Sequence, residues 1–343
     1  FIHKYPIRMG TFNLLDYDDI HQVLLDLARI WEYSLRKDFE ILHQKDLNEF
    51  SCLLILPDNV NAKELNYWSI LVIRILGFKA VAFLQESVAS AFGSGIATGC
   101  VLDIGSQKTS FACVEDGFLL PDSSVLLPYG GDSLTKLFLE FLNDAAFPYV
   151  GANLNDPADF DLISELKSNS ITFQESDTFN VSTFEFYVRK PATPTLHYNV
   201  KMYEERIMTP MALFTPNSIP TFVHENIHYA PLTTESQPDE SKGEEGEGEG
   251  EEGGEQEVKM KISGKSPEIP TLDEALLRSM CAGSVGEERV ERINKFKGSI
   301  ILVGGESSIP HFDSFLQLKM TQLFERIEGL SDTNISFFKG PSK

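Results

Sequence analysis

Asp103 stands near the end of an apolar run, Val101-Leu102-Asp103-Ile104, that breaks at Gly105 and continues as Ser106-Gln107-Lys108-Thr109-Ser110. A carboxylate at a strand end can hold a cation, while the glycine and small hydroxyl residues after it leave backbone N–H groups to face a phosphate. A second run, Ile300-Ile301-Leu302-Val303, breaks at Gly304-Gly305. Glycines at a strand end let a nucleoside lie close against the backbone, where a side chain would hold it off. The runs are separated by about 200 residues, and together they predict one ligand gripped between two lobes. Either run alone is an ordinary strand ending in a turn.

A third constellation, His224-Glu225-Asn226-Ile227-His228, matches H-E-x-x-H, which on a helix sets two histidines on one face for zinc beside a catalytic glutamate. Pro220 and Pro231 leave little room for the long helix this chemistry uses, and the next histidine is His311. The pattern is therefore read as fortuitous, with no metal-ligand set assigned. Cys52, Cys100, Cys113 and Cys281 lack CxxC spacing and lie in apolar contexts, which predicts reduced core residues of an intracellular protein.

The chain is long and apolar enough to bury a large core. Its formal charge is -22, and Asp239–Glu257 alone carries ten acidic residues against one lysine. The remainder is still acidic, so it has no overall basic footprint for nucleic acid. Apolar runs fall short of the roughly 20 residues of a membrane span, and neither membrane contact nor a leader is expected.

The elements that must position these residues read as alternating strands and helices, an α/β arrangement. Apolar spacing predicts a helix over 18–35, a buried strand over 51–56 ending in Pro57, and a helix capped by Asn61 through Leu76. A strand over 78–84 and a helix from Glu86 to the Gly93-Ser94-Gly95 stop follow. Strands 101–104 and 111–115 pair ahead of an Asp116-Gly117 turn. Helices over 133–142 and 159–167, strands over 184–188 and 198–202, a helix over 272–280 and the strand at 300 complete the pattern. Residues 235–265, rich in Gly, Glu, Ser and Lys, lack the apolar area to offset ordering entropy and are read as a disordered acidic insertion.

In order and spacing these segments resemble the actin-related proteins. The resemblance rests on Tyr5-Pro6-Ile7 with Gly10, Leu56-Pro57, Gln85-Glu86-Ser87-Val88 through Gly95, and Asp103-Ile104-Gly105. It continues with Tyr129-Gly130-Gly131-Asp132, Met211-Ala212-Leu213-Phe214-Thr215-Pro216 and Leu302-Val303-Gly304-Gly305 with Pro310. Within that family the chain is most similar to a nuclear subunit of the INO-type chromatin-remodelling complex. The resemblance implies an actin-like fold of two duplicated, ribonuclease-H-like lobes around a nucleotide cleft, with the N-terminal strands missing from this stretch. The implied division is 1–95 for the first lobe, 96–128 with 221–340 for the inner part of the second, and 129–220 for its outer subdomain.

The resemblance also implies the ligand. Asp103, Gly105, Ser106 and Thr109 would line the phosphate side of an ATP site, with Mg²⁺ near Asp103, and Gly304 and Gly305 the nucleoside side. Three departures from actin bear on strength and turnover. Gln107 replaces a glycine of the phosphate turn, Ile309 stands where actin stacks an aromatic ring, and Glu86 falls at the glutamine that orients the attacking water. A carboxylate beside a terminal phosphate repels it unless protonated or bridged. The family's first phosphate loop precedes Tyr5. These features imply a non-catalytic nuclear scaffold holding ATP weakly or structurally. Its implied partners are nuclear actin, another actin-related protein and a helical segment of the remodeller ATPase. It would also engage histones of the nucleosome, with DNA reached through segments outside this chain. The competing expectation is an active actin-like ATPase or a sugar-kinase-like phosphotransferase.

Overall fold

A computed structural model of the chain describes residues 4–39, 44–120, 122–174, 181–190, 193–219, 269–284, 286, 288–326 and 334–339. The acidic stretch 235–265 and His224–His228 lie outside the described residues. Chain contacts define one compact unit from Phe1–Thr221 and Pro270–Lys343; of the remaining segment, Phe222–Ile269, only Ile269 is among the described residues.

The first part opens with a short hairpin, β1 (Ile7–Arg8) and β2 (Thr11–Phe12), followed by helix α1 (Ile20–Phe39). Val23, Leu24, Leu27 and Ala28 form the buried stripe of α1, the three-and-four spacing that puts one face inward. Strand β3 (Ser51–Leu56) pairs in parallel with β4 (Ala80–Gln85) across α2 (Ala62–Ser69) and a π-helical turn, Ile70–Leu76. Asn61 caps α2 by accepting the Glu64 N–H at 2.9 Å, and Gly77 closes the π-turn at φ +87°. Trp68 is buried and stacks on Trp31 at 6.0 Å between ring centres, so both tryptophans serve this core.

Helix α3 (Glu86–Ser94) leads to the central sheet, which contains β5 (Gly99–Ile104), β6 (Thr109–Glu115), β7 (Phe118–Leu119), β8 (Val125–Leu127), β11 (Ile300–Val303) and β12 (Phe337–Lys339). Its order is β12-β11-β5-β6-β7, with β8 also on β6. β5 and β6 are antiparallel, whereas β11 lies parallel to β5. Asp116 and Gly117 make the tight turn before β7, both at positive φ. The sheet has two covers. Val88 and Ala91 of α3 meet Val101, Val114 and Ile301 on one face. On the other, Ser279 of α7 (Leu272–Ala282) faces the thiols of Cys100 and Cys113. All four cysteines are free thiols.

Between β8 and α7 come α4 (Gly131–Asp144), α5 (Pro157–Ser170), the antiparallel hairpin β9 (Ser182–Val188) and β10 (Leu196–Met202), and α6 (Glu205–Met211). Helix α8 (Arg289–Lys297) precedes β11, and α9 (Phe312–Phe324) follows it.

One expectation needs correction. The run 51–56 is a strand but not a buried one, since Leu53 and Ile55 are 62% and 54% exposed while Leu56 is buried. A parallel strand is normally covered on both faces, yet among the described residues β3 is covered on one. Helices α6, α8 and α9 and strands β1, β2, β8 and β12 were not expected from the sequence.

Candidate functional site

The acidic side chains and the glycines of interest gather at the carboxyl ends of the parallel strands. Asp58 lies just past β3, Glu86 directly after β4, Asp103 within the last two residues of β5, and Gly304 directly after β11. Carboxyl ends of parallel strands are where α/β sheets bind ligands, because turns and helix N-termini collect there.

The two glycine-broken runs meet in register. Val303 pairs with Asp103, so Gly304 falls beside Ile104. Gly304 has φ +85°, and a Cβ on it would stand 2.5 Å from Asp103 Oδ1 and closer still to the Ile104 carbonyl. Only glycine fits there. Gly305, by contrast, has open space where its Cβ would be.

The turn after β5 is held from behind. The Gly105 N–H donates to the Lys108 carbonyl at 3.0 Å. From the start of α4, the Gly131 and Asp132 N–H groups donate to the carbonyls of Gly105 and Ser106 at 2.9 and 2.6 Å. A Cβ on Gly130 would collide with both carbonyls, so that glycine lets α4 close in. Thr109 is buried, and its hydroxyl donates to the Tyr129 carbonyl at 2.8 Å, anchoring the turn. Ser106 is exposed. Among the described residues none accepts a hydrogen bond from the backbone N–H of Ser106, Gln107 or Lys108, which leaves three donors of one turn for an anion or solvent.

Gln107 works as a tie. Its Oε1 accepts the Met9 N–H of the β1–β2 turn at 2.8 Å, and its side chain also bonds the Asp132 carboxylate. This side chain thus links three segments around the turn.

Lys108 sits among carboxylates. Its Nζ donates to Glu86 Oε1 at 2.5 Å, and the Ser110 hydroxyl reaches the same oxygen at 3.3 Å. Asp58 accepts from the Ser87 N–H and hydroxyl at 3.1 and 2.6 Å. Burial, then the Glu86 charge, push Asp103 up to about 6, against the opposing pull of Lys108. Burial likewise raises Asp58, with the Ser87 hydrogen bonds opposing it. A site that penalises its own carboxylate charge favours a cation or a proton there. Among the described residues no three His, Cys, Asp or Glu side chains are arranged to hold a metal ion. A divalent cation at Asp103 would therefore take phosphate oxygens and water as its other ligands.

A second charge pair lies just past Gly304. Lys167 of α5 is buried, and its Nζ donates to Glu306 Oε1 at 2.5 Å and to the Gly131 carbonyl at 2.9 Å. The pair joins the start of α4, α5 and the 3₁₀ turn Gly305–Ser308 in one contact. Ile309 is buried against the core.

The structure thus brings Asp103, Gly105, Ser106, Gly304 and Gly305 to one place, with Thr109 turned inward behind them. Sequence reasoning missed Lys108, Asp58 and the Lys167–Glu306 pair. Lys108 was in view, the only cation inside the motif. The other pair joins residues 139 positions apart and leaves no local pattern.

This donor set, a glycine-rich turn after a strand-end carboxylate beside a second Gly-Gly strand, suits a nucleotide's phosphates and sugar. The Actin family model matches residues 24–335. The chain belongs to the actin family. Actin-family relatives include the probable actin-related protein 8 of Schizosaccharomyces pombe, 29% identical over 91% of this chain and 53% of its own length. Actin-related protein 8 of Salmo salar is 36% identical over 62% of this chain and 34% of its own. Human actin-related protein Arp8, solved in its ATP-bound state, superposes with a TM-score of 0.78 at 25% identity, covering 98% of this chain and 60% of that one. These findings bear out the resemblance to the actin-related proteins, and specifically to actin-related protein 8, along with the actin fold. The chain spans about a third to a half of the length of these curated relatives.

Proposed function

We propose that this chain is a non-catalytic actin-related subunit of a nuclear chromatin-remodelling complex, holding ATP as a structural ligand between its lobes. The observation that carries the non-catalytic part is Glu86. By the family resemblance it stands where a neutral glutamine would orient the attacking water, and in the resting site its carboxylate accepts from Lys108 and Ser110. A carboxylate there also adds negative charge next to a phosphate that accumulates it. ATP binding is supported by the site geometry and by the ATP-bound human relative. Asp103 with Mg²⁺ and the turn 105–108 would hold the phosphates, and Gly304 and Gly305 the nucleoside.

As scaffold, the subunit would dock with nuclear actin and a second actin-related protein on a helical segment of the remodeller ATPase, helping engage the nucleosome. Histones suit its acidic surface; DNA would be reached by basic segments elsewhere, because net negative charge opposes phosphate. The test is a pull-down of the full-length protein from nuclear extract, with the bound nucleotide analysed after release. Co-purification of actin and a remodeller ATPase, with the nucleotide recovered as ATP after hours, is expected. Recovery without those partners sinks the scaffold reading, and conversion to ADP within minutes favours an active ATPase.

A further inference from the structure

Lys108 occupies an unusual position. It belongs to the turn whose Ser106, Gln107 and Lys108 N–H groups have no partner among the described residues. Its ammonium is nevertheless turned to Glu86 at 2.5 Å, with both side chains under one-fifth exposed. The Nζ also lies beside the β1–β2 turn, 3.4 Å from where a Cβ on Gly10 would be. Around it stand the carboxylates of Asp58, Glu86 and Asp103, three acids to one base. A phosphate chain entering this setting unaided would face unrelieved repulsion.

We propose that Lys108 is a phosphate ligand of this cleft and that Glu86 is its resting partner, which gives up the ammonium to a nucleoside polyphosphate. The proposal rests on the nucleotide reading of the cleft. Three observations make the exchange physically reasonable. The lysine stem has free rotors, and its compact ammonium trades acceptors readily. A polyphosphate, with several negative charges, is a stronger acceptor than one carboxylate. Glu86 is not abandoned when Lys108 leaves, because Ser110 already donates to the same oxygen. The outcome is a site graded by phosphate number, in which the phosphate turn brings its own counter-charge.

The experiment is calorimetric titration of the full chain with ATP, ADP, AMP and adenosine in Mg²⁺ buffer. The variants are Lys108→Met, Glu86→Gln and the double Lys108→Met/Glu86→Gln. The double variant removes both charges, so that no unpaired carboxylate compromises the fold, and thermal unfolding checks each protein. Wild type should bind ATP more tightly than AMP. Lys108→Met and the double variant should weaken ATP by roughly 10- to 100-fold while leaving adenosine within about twofold, the loss expected for one charge-assisted contact. Glu86→Gln should tighten ATP by several-fold, because the ammonium no longer has a charged competitor. If the folded double variant keeps the wild-type ratio of ATP to adenosine affinity, or Glu86→Gln weakens ATP, the proposal is overturned and nucleotide binding stands. If wild type binds none of the four ligands, the nucleotide reading itself falls, and this proposal with it.

Discussion

Two parallel strand pairs of similar composition end at the same cleft but are built into the molecule differently. β5 and β11 lie at the centre of a six-stranded sheet, with α3 on one face and α7 on the other, and nearly every residue in them is buried. β3 and β4 form a sheet of two, with α1 and α2 packed beneath and Leu53 and Ile55 exposed on the other face. Each pair delivers acid to the cleft, Asp103 from one, Asp58 and Glu86 from the other. The central pair holds its end by backbone packing at Gly304; the outer pair holds its end by side-chain bonds to Ser87, Lys108 and Ser110. An apolar run therefore reports a strand, but not how many layers will cover it.

The largest test of this contrast is at the backbone junction. Gly304→Val forces a side chain into a left-handed residue and into the Ile104 carbonyl, and it should cost more than about 4 kcal/mol or abolish folding. Gly305→Ala, next door but with open space, should stay within about 0.5 kcal/mol of wild type. Urea unfolding followed by tryptophan fluorescence compares them, and equal tolerance would break the claim that Gly304 locks β11 to β5.

The next test sets one leucine from each pair against the other. Leu102→Ala, fully buried, should lose about 2–5 kcal/mol through transfer and cavity terms. Leu53→Ala should lose less than about 1 kcal/mol, since most of its surface already faces water. Matching losses would mean that the exposed face of β3 is covered in solution.

The smallest effect is electrostatic. Asp103 is raised to about 6, so between its unfolded value near 4 and that pH the folded chain binds more protons than the unfolded one. Stability from this group is therefore fullest at low pH and declines as pH rises through about 6, by something on the order of 1–2 kcal/mol after allowance for partial exposure. Asp103→Asn should flatten that decline and stabilise the nucleotide-free protein at pH 7.5. Unfolding curves at pH 5 and 7.5 measure it, and an unchanged slope in the variant would show that the charge of Asp103 is not the strained one.

Much of the architecture was readable along the chain because its signals are local. The Asn61 cap, the Gly95 stop, the Asp116-Gly117 turn and the stripe of α1 each arise within a few residues of one another. The two glycine-broken runs were legible for the same reason, whereas Glu86 and Gln107 stood out only through the family resemblance. Helix α9 was missed although its Phe312, Leu316 and Met320 recur every four residues, while α6 carries Pro210 in its interior, a residue that argues against a helix.

By itself, the sequence determined most of the strands, their glycine stops, the family, and Asp103 with the glycines of the site. Backbone conformation, capping and apolar periodicity are set by neighbours in the chain. Only the tertiary structure decided that Gly304 abuts Asp103, that Gln107 ties down Met9, that Lys108 rests on Glu86 and that Lys167 is buried on Glu306. These contacts join residues 22 to about 200 positions apart. Their strength comes from burial and from the sum of surrounding charges, which exist only once the strands have been brought side by side.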